Sequence, residues 1–327
     1  MHEDLWRNQG PNKISRMLTL EGQFIPRRVI CYVIRQADPE GPAHQYPGRK
    51  KPIDHTPLVA QGTWQEHHGD GHEKLAKAAL HMGPVSLPIY GYKDKWCSVL
   101  PFMRFIPDDQ HADCIAHLYL DFVDEYGEID LSKHPAVVQL KSVHNTPIES
   151  VWHWFQQDVG QTLYLRITHG RDNDLFQPHN DLHIFGLTVD ALASVNRNLF
   201  NWIWPPIVQD ELNRFCKMWN LRVPRKQKDK IMPSGVTPLA LWEHPECYGG
   251  ERFSIPVPKE LIAKLRKEIK TPYEEAFAFV SPQFNEWANF IYHSLGCPEV
   301  DAASAWGLFS RMEVAMKVQM EQEQAAL

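Results

Sequence analysis

Two acidic residues stand where chemistry could use them. Glu149 lies in Val143-His144-Asn145-Thr146-Pro147-Ile148-Glu149-Ser150-Val151-Trp152-His153-Trp154-Phe155, a run that reads as the opening of a helix. Asn145 or Thr146 suits the N-cap and Pro147 the first helical position, which puts Glu149 on the first turn. A glutamate three residues after a capping threonine is also the plain signature of a capping box, with no chemistry attached. Asp70 stands between two glycines in Trp64-Gln65-Glu66-His67-His68-Gly69-Asp70-Gly71-His72-Glu73-Lys74-Leu75, at the edge of an expected strand. Carboxylates carried by separate elements can converge where a sheet meets a helix, and oxygen donors of this kind suit hard cations. The histidines around Asp70 offer a hydrolase-like metal cluster as an alternative. Neighbouring strand residues point to opposite faces, however, so only alternate ones can converge, and no distant His-x-x-His partner is present.

The elements that must position these groups follow from hydrophobic spacing. Asn12–Leu20 carries Ile14, Met17 and Leu18 at helical intervals and is stopped by Gly22; Pro26 opens a second helix with Val29, Ile30, Val33 and Ile34 on one face. Two helices around a short glycine turn, the second opening with arginines, have the shape of a helix-turn-helix, and equally of a simple helical hairpin. Pro, Gly and charge then mark a linker. Strands are expected around Asp70, at Leu87–Tyr92 and at Cys97–Phe105, forming a meander, with a helix over His111–Tyr126 packed on it. Ala136–Leu140 reads as a short strand before the Glu149 helix. Beyond about residue 185 the chain reads as mostly helical: Val195–Trp219 with a break at Pro205-Pro206, then Lys259–Ile269, Tyr273–Ser294 and Ala302–Gln324. Trp152, Trp154, Trp202 and Trp204 are expected in the core or an interhelical seam, although exposed tryptophans could stack nucleic-acid bases.

Composition bounds the remaining classes. The chain has 327 residues, 43% apolar and 23% charged, enough to bury a full-sized core or two. No apolar run approaches the roughly 18 residues that span a bilayer, and the N-terminus carries no apolar signal region, so a soluble, intracellular or nuclear protein without a membrane partner is expected. Six scattered cysteines with no Cys-x-x-Cys argue against a structural zinc site and a disulfide framework. Gly-x-Ser-x-Gly, P-loop and Gly-x-Gly-x-x-Gly motifs are absent, which leaves serine-hydrolase and nucleotide chemistry without support. The net charge of −6 excludes a uniformly basic nucleic-acid binder, yet two basic clusters stand out. One comprises Arg27, Arg28, Arg35, Arg49, Lys50 and Lys51, the other Arg222, Arg225, Lys226, Lys228 and Lys230. Each can hold phosphates locally or simply form a solvated face.

In five ordered blocks the chain resembles the retroviral-type integrase core, and most closely the integrase-core proteins that fungal genomes carry in many copies. Asp70–Leu75 matches Asp-Gly-His-x-Lys-Leu, Pro88–Trp96 matches Pro-Ile-Tyr-Gly-x-x-Asp-Lys-Trp, and His144–Trp154 matches His-Asn-Thr-Pro-Ile-Glu-x-x-Trp-x-Trp. Asn198–Ile207 and Met232–Gly235 add two further blocks, so the resemblance covers nearly the whole chain. It implies an α/β (α+β) fold with a mixed sheet flanked by helices, the ribonuclease H-like integrase core. A helix-turn-helix-like arm over residues 1–38, a linker over 39–62, the core over 63–185 and a mostly helical region over 186–327 complete the expected plan. It further implies phosphodiester cleavage and strand transfer with two divalent metals, Mg²⁺ or Mn²⁺, held by three carboxylates. Asp70 is then the first-strand ligand and Glu149 the helix ligand, with His144 and Asn145 shaping the approach. DNA is the implied partner, contacted by Asn145 and by Arg27, Arg28, Arg35, Arg49, Lys50 and Lys51, and homo-oligomers are implied for an active form. The His-His-Cys-Cys zinc module of retroviral integrases has no counterpart here.

The chain departs from that family at the second aspartate. The family places it after the His111–Tyr126-type helix, in a block reading roughly Val-Asp-Lys-Gly-Ser-Glu. Here only Glu128–Lys141 separates that helix from Ser142, and no Asp-x-Gly block is present. Asp113 opens the helix rather than following it, so Asp130 is the positional substitute. Two function classes follow: an integrase or transposase-like enzyme degenerate at its third ligand, and a non-catalytic DNA-binding remnant of one.

Overall fold

The structure, a computed structural model, describes residues 10–37, 59–72, 88–107, 111–130, 145–176, 191–227 and 231–325. Helix α1 (Pro11–Leu20) ends at Glu21-Gly22, where Gly22 takes a left-handed φ of 76°, and α2 (Arg27–Ala37) follows. Strand β1 (Gly62–Thr63) precedes β2 (His67–His72), β3 (Ile89–Asp94) and β4 (Met103–Phe105). The last three form an antiparallel sheet in the order β2-β3-β4, the meander that the sequence predicts. Helix α3 (Ala112–Tyr126) packs on one face through Phe122, and Gly127 (φ 89°) turns the chain into β5 (Glu128–Ile129).

Helix α4 (Thr146–Phe155) covers the other face and runs without interruption through a π turn (Gln156–Gly160) into α5 (Gln161–Asp172). The long α6 (Ala191–Asn220) comes next, then α7 (Pro238–Glu243), a 3₁₀ turn (Pro245–Tyr248), β6 (Glu251–Arg252) and β7 (Ser254–Ile255). Helices α8 (Lys259–Glu268), α9 (Tyr273–Ala276), α10 (Pro282–Ser294) and α11 (Ala305–Ala325) complete the chain. Two small sheets lie outside the meander: β1 pairs in parallel with β6, and β5 pairs antiparallel with β7. The fold is thus mixed, mostly helical, with small sheets. Among the described residues no helix is long and apolar enough to cross a membrane.

One core joins the meander to the C-terminal helices. Ile89, Met103 and Phe105 from the sheet, Ile148, Val151 and Phe155 from α4, Leu199, Phe200 and Trp204 from α6, and Phe309 and Met312 from α11 form a single buried cluster. Each fully buried side chain of this size contributes roughly 1.5–3 kcal/mol relative to exposure. The expected tryptophan placement holds for Trp152 and Trp204, which are buried, but Trp154 is exposed.

Several sequence expectations differ from the fold. Cys97–Phe105 is a strand only over Met103–Phe105. The Asp94 carboxylate accepts the Cys97 N–H at 2.8 Å and Ser98 sits at φ 64°, so the chain turns there instead of extending. Leu100 then bonds through both its N–H and its carbonyl to the Asn220 side amide at the end of α6, which replaces a strand partner. Pro205-Pro206 does not break α6. An interior proline costs on the order of 3 kcal/mol, and burial of Phe200, Ile203, Trp204, Ile207 and Val208 on both sides offsets it. Tyr273–Ser294 is two helices, because Ser281 caps a new start at Pro282 by accepting the Phe284 N–H at 3.2 Å. The strand expected at Ala136–Leu140 and most of the expected linker lie outside the described residues. Of the apolar face expected on α2, Ile30 is buried and Ile34 half-buried, whereas Val29 and Val33 are exposed.

Candidate functional site

Strand alternation sorts the residues around Asp70 first. In the β2–β3 register, His68 faces Lys93 and Asp70 faces Gly91 on one side of the sheet, while His67 faces Asp94 on the other. The two adjacent histidines therefore point apart, so His67 does not share the face of Asp70 and His68.

Helix α4 lies over the Asp70 face. The Trp152 indole N–H donates to Asp70 Oδ2 at 3.2 Å. To reach it the indole must cross β3, and it does so above Gly91. A Cβ there would sit 3.1 Å from Trp152 Cη2 and 3.2 Å from Met103 Cγ, tighter than packed side chains normally approach. Glu149, three residues before Trp152, is half-buried on the first turn of the same helix. The negative charge of Asp70 adds to burial in pushing the Tyr90 hydroxyl pKa up.

The opening of α4 is tethered to the sheet. Asn145 occupies the N-cap, but its side chain makes no cap bond. Instead its Nδ2 donates to the Gly69 carbonyl at 3.1 Å, and its Oδ1 lies 2.7 Å from His68 Nδ1. An amide oxygen only accepts, so that histidine nitrogen carries the proton. His68 Nε2 lies 3.0 Å from Glu66 Oε1, off the line a hydrogen bond prefers, and Glu66 Oε2 lies 2.8 Å from Lys95 Nζ. These contacts, His68 first, hold the Glu66 carboxyl down to about 2. The buried Lys93 ammonium donates to the Pro147 carbonyl at 2.8 Å and to Ser150 Oγ at 3.1 Å. The cap is therefore Asn145 rather than Thr146, and its side chain is spent on β2, which fixes the helix opening beside Asp70.

The third expected ligand, Asp130, immediately follows β5, whose partner is β7 rather than a strand of the Asp70 sheet. Among the described residues no group of three or more His, Cys, Asp or Glu side chains is arranged to hold a metal ion. Asp70 and the Glu149 helix meet, but the described residues do not fit the three-carboxylate set that Mg²⁺ or Mn²⁺ would need for two-metal chemistry.

The expected DNA-contacting residues scatter. Arg27, Arg28 and Arg35 are exposed on α2, and Arg27 Nε donates to Asn12 Oδ1 at 2.8 Å. Arg49, Lys50, Lys51 and His144 lie outside the described residues, as do Lys228 and Lys230 of the second cluster. Arg225 and Lys226 are exposed, whereas Arg222 is half-buried with its guanidinium 3.1 Å above the Trp219 ring. Sequence reasoning overlooked Trp152 and Lys93 as site residues and considered His68 only within a histidine metal cluster. The signals were present: period-two spacing from Asp70 gives His68, and one helical turn from Glu149 gives Trp152.

Comparison with known protein families, with curated proteins and with solved structures finds no match to this chain.

Proposed function

We propose that this chain is an integrase- or transposase-like, DNA-processing protein of mobile-element origin, with a ribonuclease H-like core and an N-terminal arm that contacts DNA, and with strand transfer lost or slight. One observation supports this reading above the others. The strand that carries Asp70 and the helix that opens with Glu149, 79 positions later in sequence, are joined by the Trp152–Asp70 bond and the Asn145 tether. The position of Asp130 favours the second reading, a DNA-binding remnant that retains the architecture without the chemistry, because its strand joins β7 rather than the meander. Asp70 and Glu149 would supply two of the oxygen ligands of a divalent ion, and an incomplete set of such ligands normally abolishes turnover.

The deciding experiment incubates the full chain with labelled duplex DNA in Mn²⁺ at several salt concentrations. Expected are a salt-dependent mobility shift, weakened by Arg27→Ala and Arg28→Ala, and no nicking above background. Nicking that disappears in Asp70→Ala would establish the active enzyme instead. Absence of any shift at low salt would remove DNA as the partner.

A further inference from the structure

Helix α2 packs on α1 and buries Ile30. At about 100° per residue, Ile34, Ile30, Val33, Val29 and Tyr32 follow one another around α2 over roughly 200°. A stripe of about half that width serves a helix that faces a single core. The α1 side takes the Ile34 and Ile30 end of the arc, since Arg27, next to Ile34 around the helix, donates to Asn12 of α1. At the other end Val29 is 43%, Val33 56% and Tyr32 66% exposed, so half of the apolar arc is left uncovered by the described residues.

Charge marks the border of that open half. Arg28 and Arg35 come next after Tyr32 around the helix, about two turns apart, and both are exposed. Helix α2 has no acidic residue to neutralise them. The open half is therefore an apolar strip with α1 on one side and a basic edge on the other. A helix laid along it, beside α1, buries both valines and brings its own edge against the two arginines. Carboxylates on that edge pair with guanidinium groups. Nucleic acid uses only the arginines, because phosphates leave Val29 and Val33 in water. A second copy fits badly: in an antiparallel pair of α2 helices the basic edges meet, and Arg28 of one copy faces Arg35 of the other.

We propose that this face docks an acidic amphipathic helix of another protein, which covers Val29 and Val33, pairs with Arg28 and Arg35, and so competes with DNA for the N-terminal arm. The competition rests on the DNA reading above; the docking does not. The recognition follows the helix-in-groove mode, with apolar anchors one helical turn apart giving the affinity and the charged edge setting the choice of partner.

The test is fluorescence anisotropy of the full chain with a labelled peptide of three heptads, leucine at a and d and glutamate at e and g, against the same peptide with lysine for glutamate. Wild type should bind the glutamate peptide and not the lysine one. The double variant Val29→Ser/Val33→Ser and the variant Arg35→Ala should each weaken binding at least tenfold, while Lys264→Ala on α8 leaves it unchanged. The serine variant should keep the wild-type midpoint in urea, because serine and valine have similar helix propensity and the sites are exposed. A clear loss of stability there would mean that the chain itself covers this face, and would overturn the proposal. So would failure of wild type to bind the glutamate peptide, or a wild-type dimer in sedimentation that the serine variant dissociates. The peptide should also displace a labelled duplex from the chain; simultaneous binding overturns the competition. Peptide binding without any duplex shift retains the docking and removes the DNA reading, and a duplex shift without peptide binding does the reverse.

Discussion

The two faces of the β2–β3 pair use the same residue types to opposite ends. On one face Asp94 is fully buried, accepts the Trp64 and Cys97 N–H groups at 2.9 and 2.8 Å, and lies 3.4 Å from His67 Nε2. Around it Trp64, Phe122, Tyr126 and Trp242 close an aromatic seal, with Tyr92 stacked on Phe122 at 4.7 Å. Trp64 itself sits at φ 73°, a conformation costly for a bulky side chain, and its bond to Asp94 helps to hold it there. On the other face Asp70 is half-buried and takes an indole N–H, while His68 and Lys93 grip the helix opening. A carboxylate satisfied by backbone N–H groups inside an aromatic shell is architecture. A carboxylate at a sheet–helix junction, held by an indole from a helix whose first turn is tethered to the sheet, lies at a seam between elements.

The largest test of that contrast is Asp94→Ala. It leaves two buried N–H groups without an acceptor, at about 1–3 kcal/mol each, so a loss of about 3 kcal/mol or more is expected in urea unfolding. Asp70→Ala should cost far less, and equal losses would erase the distinction between the faces.

Acid should act through the sealed face. Burial holds the His67 imidazole down to about 4, against the pull of Asp94, from an ordinary value of 6.5. Between those values the unfolded chain takes up a proton that the folded chain refuses, so stability falls as pH drops from 6.5 toward 4. The slope is at most about 1.4 kcal/mol per pH unit. His67→Phe should flatten this part of the unfolding profile, and an unchanged slope in that variant would assign the loss to other groups.

Gly91→Ala probes the crossing point between the faces. The added methyl meets Trp152 and Met103, and about 1–3 kcal/mol of destabilisation is expected from overpacking. A neutral result would mean that Trp152 does not need this passage. The smallest effect belongs to the Trp152–Asp70 bond itself. A double-mutant cycle of Trp152→Phe with Asp70→Asn should return a coupling of about 1 kcal/mol; zero coupling would detach the aspartate from α4.

Much of the fold was legible from spacing. The helices over Pro11–Leu20 and Ala112–Tyr126, the strand bearing Asp70 and the helix opening at Thr146 follow from apolar periodicity and from Gly and Pro placement, all local properties. Where local signals misled, a distant partner had intervened. Asn220 took the hydrogen bonds of Leu100, and core burial carried α6 through two prolines. The split at Ser281 was local and readable, a serine before proline.

By itself the sequence determined which residues could act: an aspartate at period two from His68, a glutamate one helical turn from Trp152, and arginines in two clusters. Tertiary structure alone decided which of them share a place. It set Asp70 against the Glu149 helix and Asp130 just after a strand that pairs with β7, left the α2 arginines exposed, and stacked Arg222 on Trp219. The reason is that backbone periodicity fixes only the direction of each side chain along its own element. Meeting across 79 positions depends on which apolar faces bury each other, and that choice is made by the core as a whole.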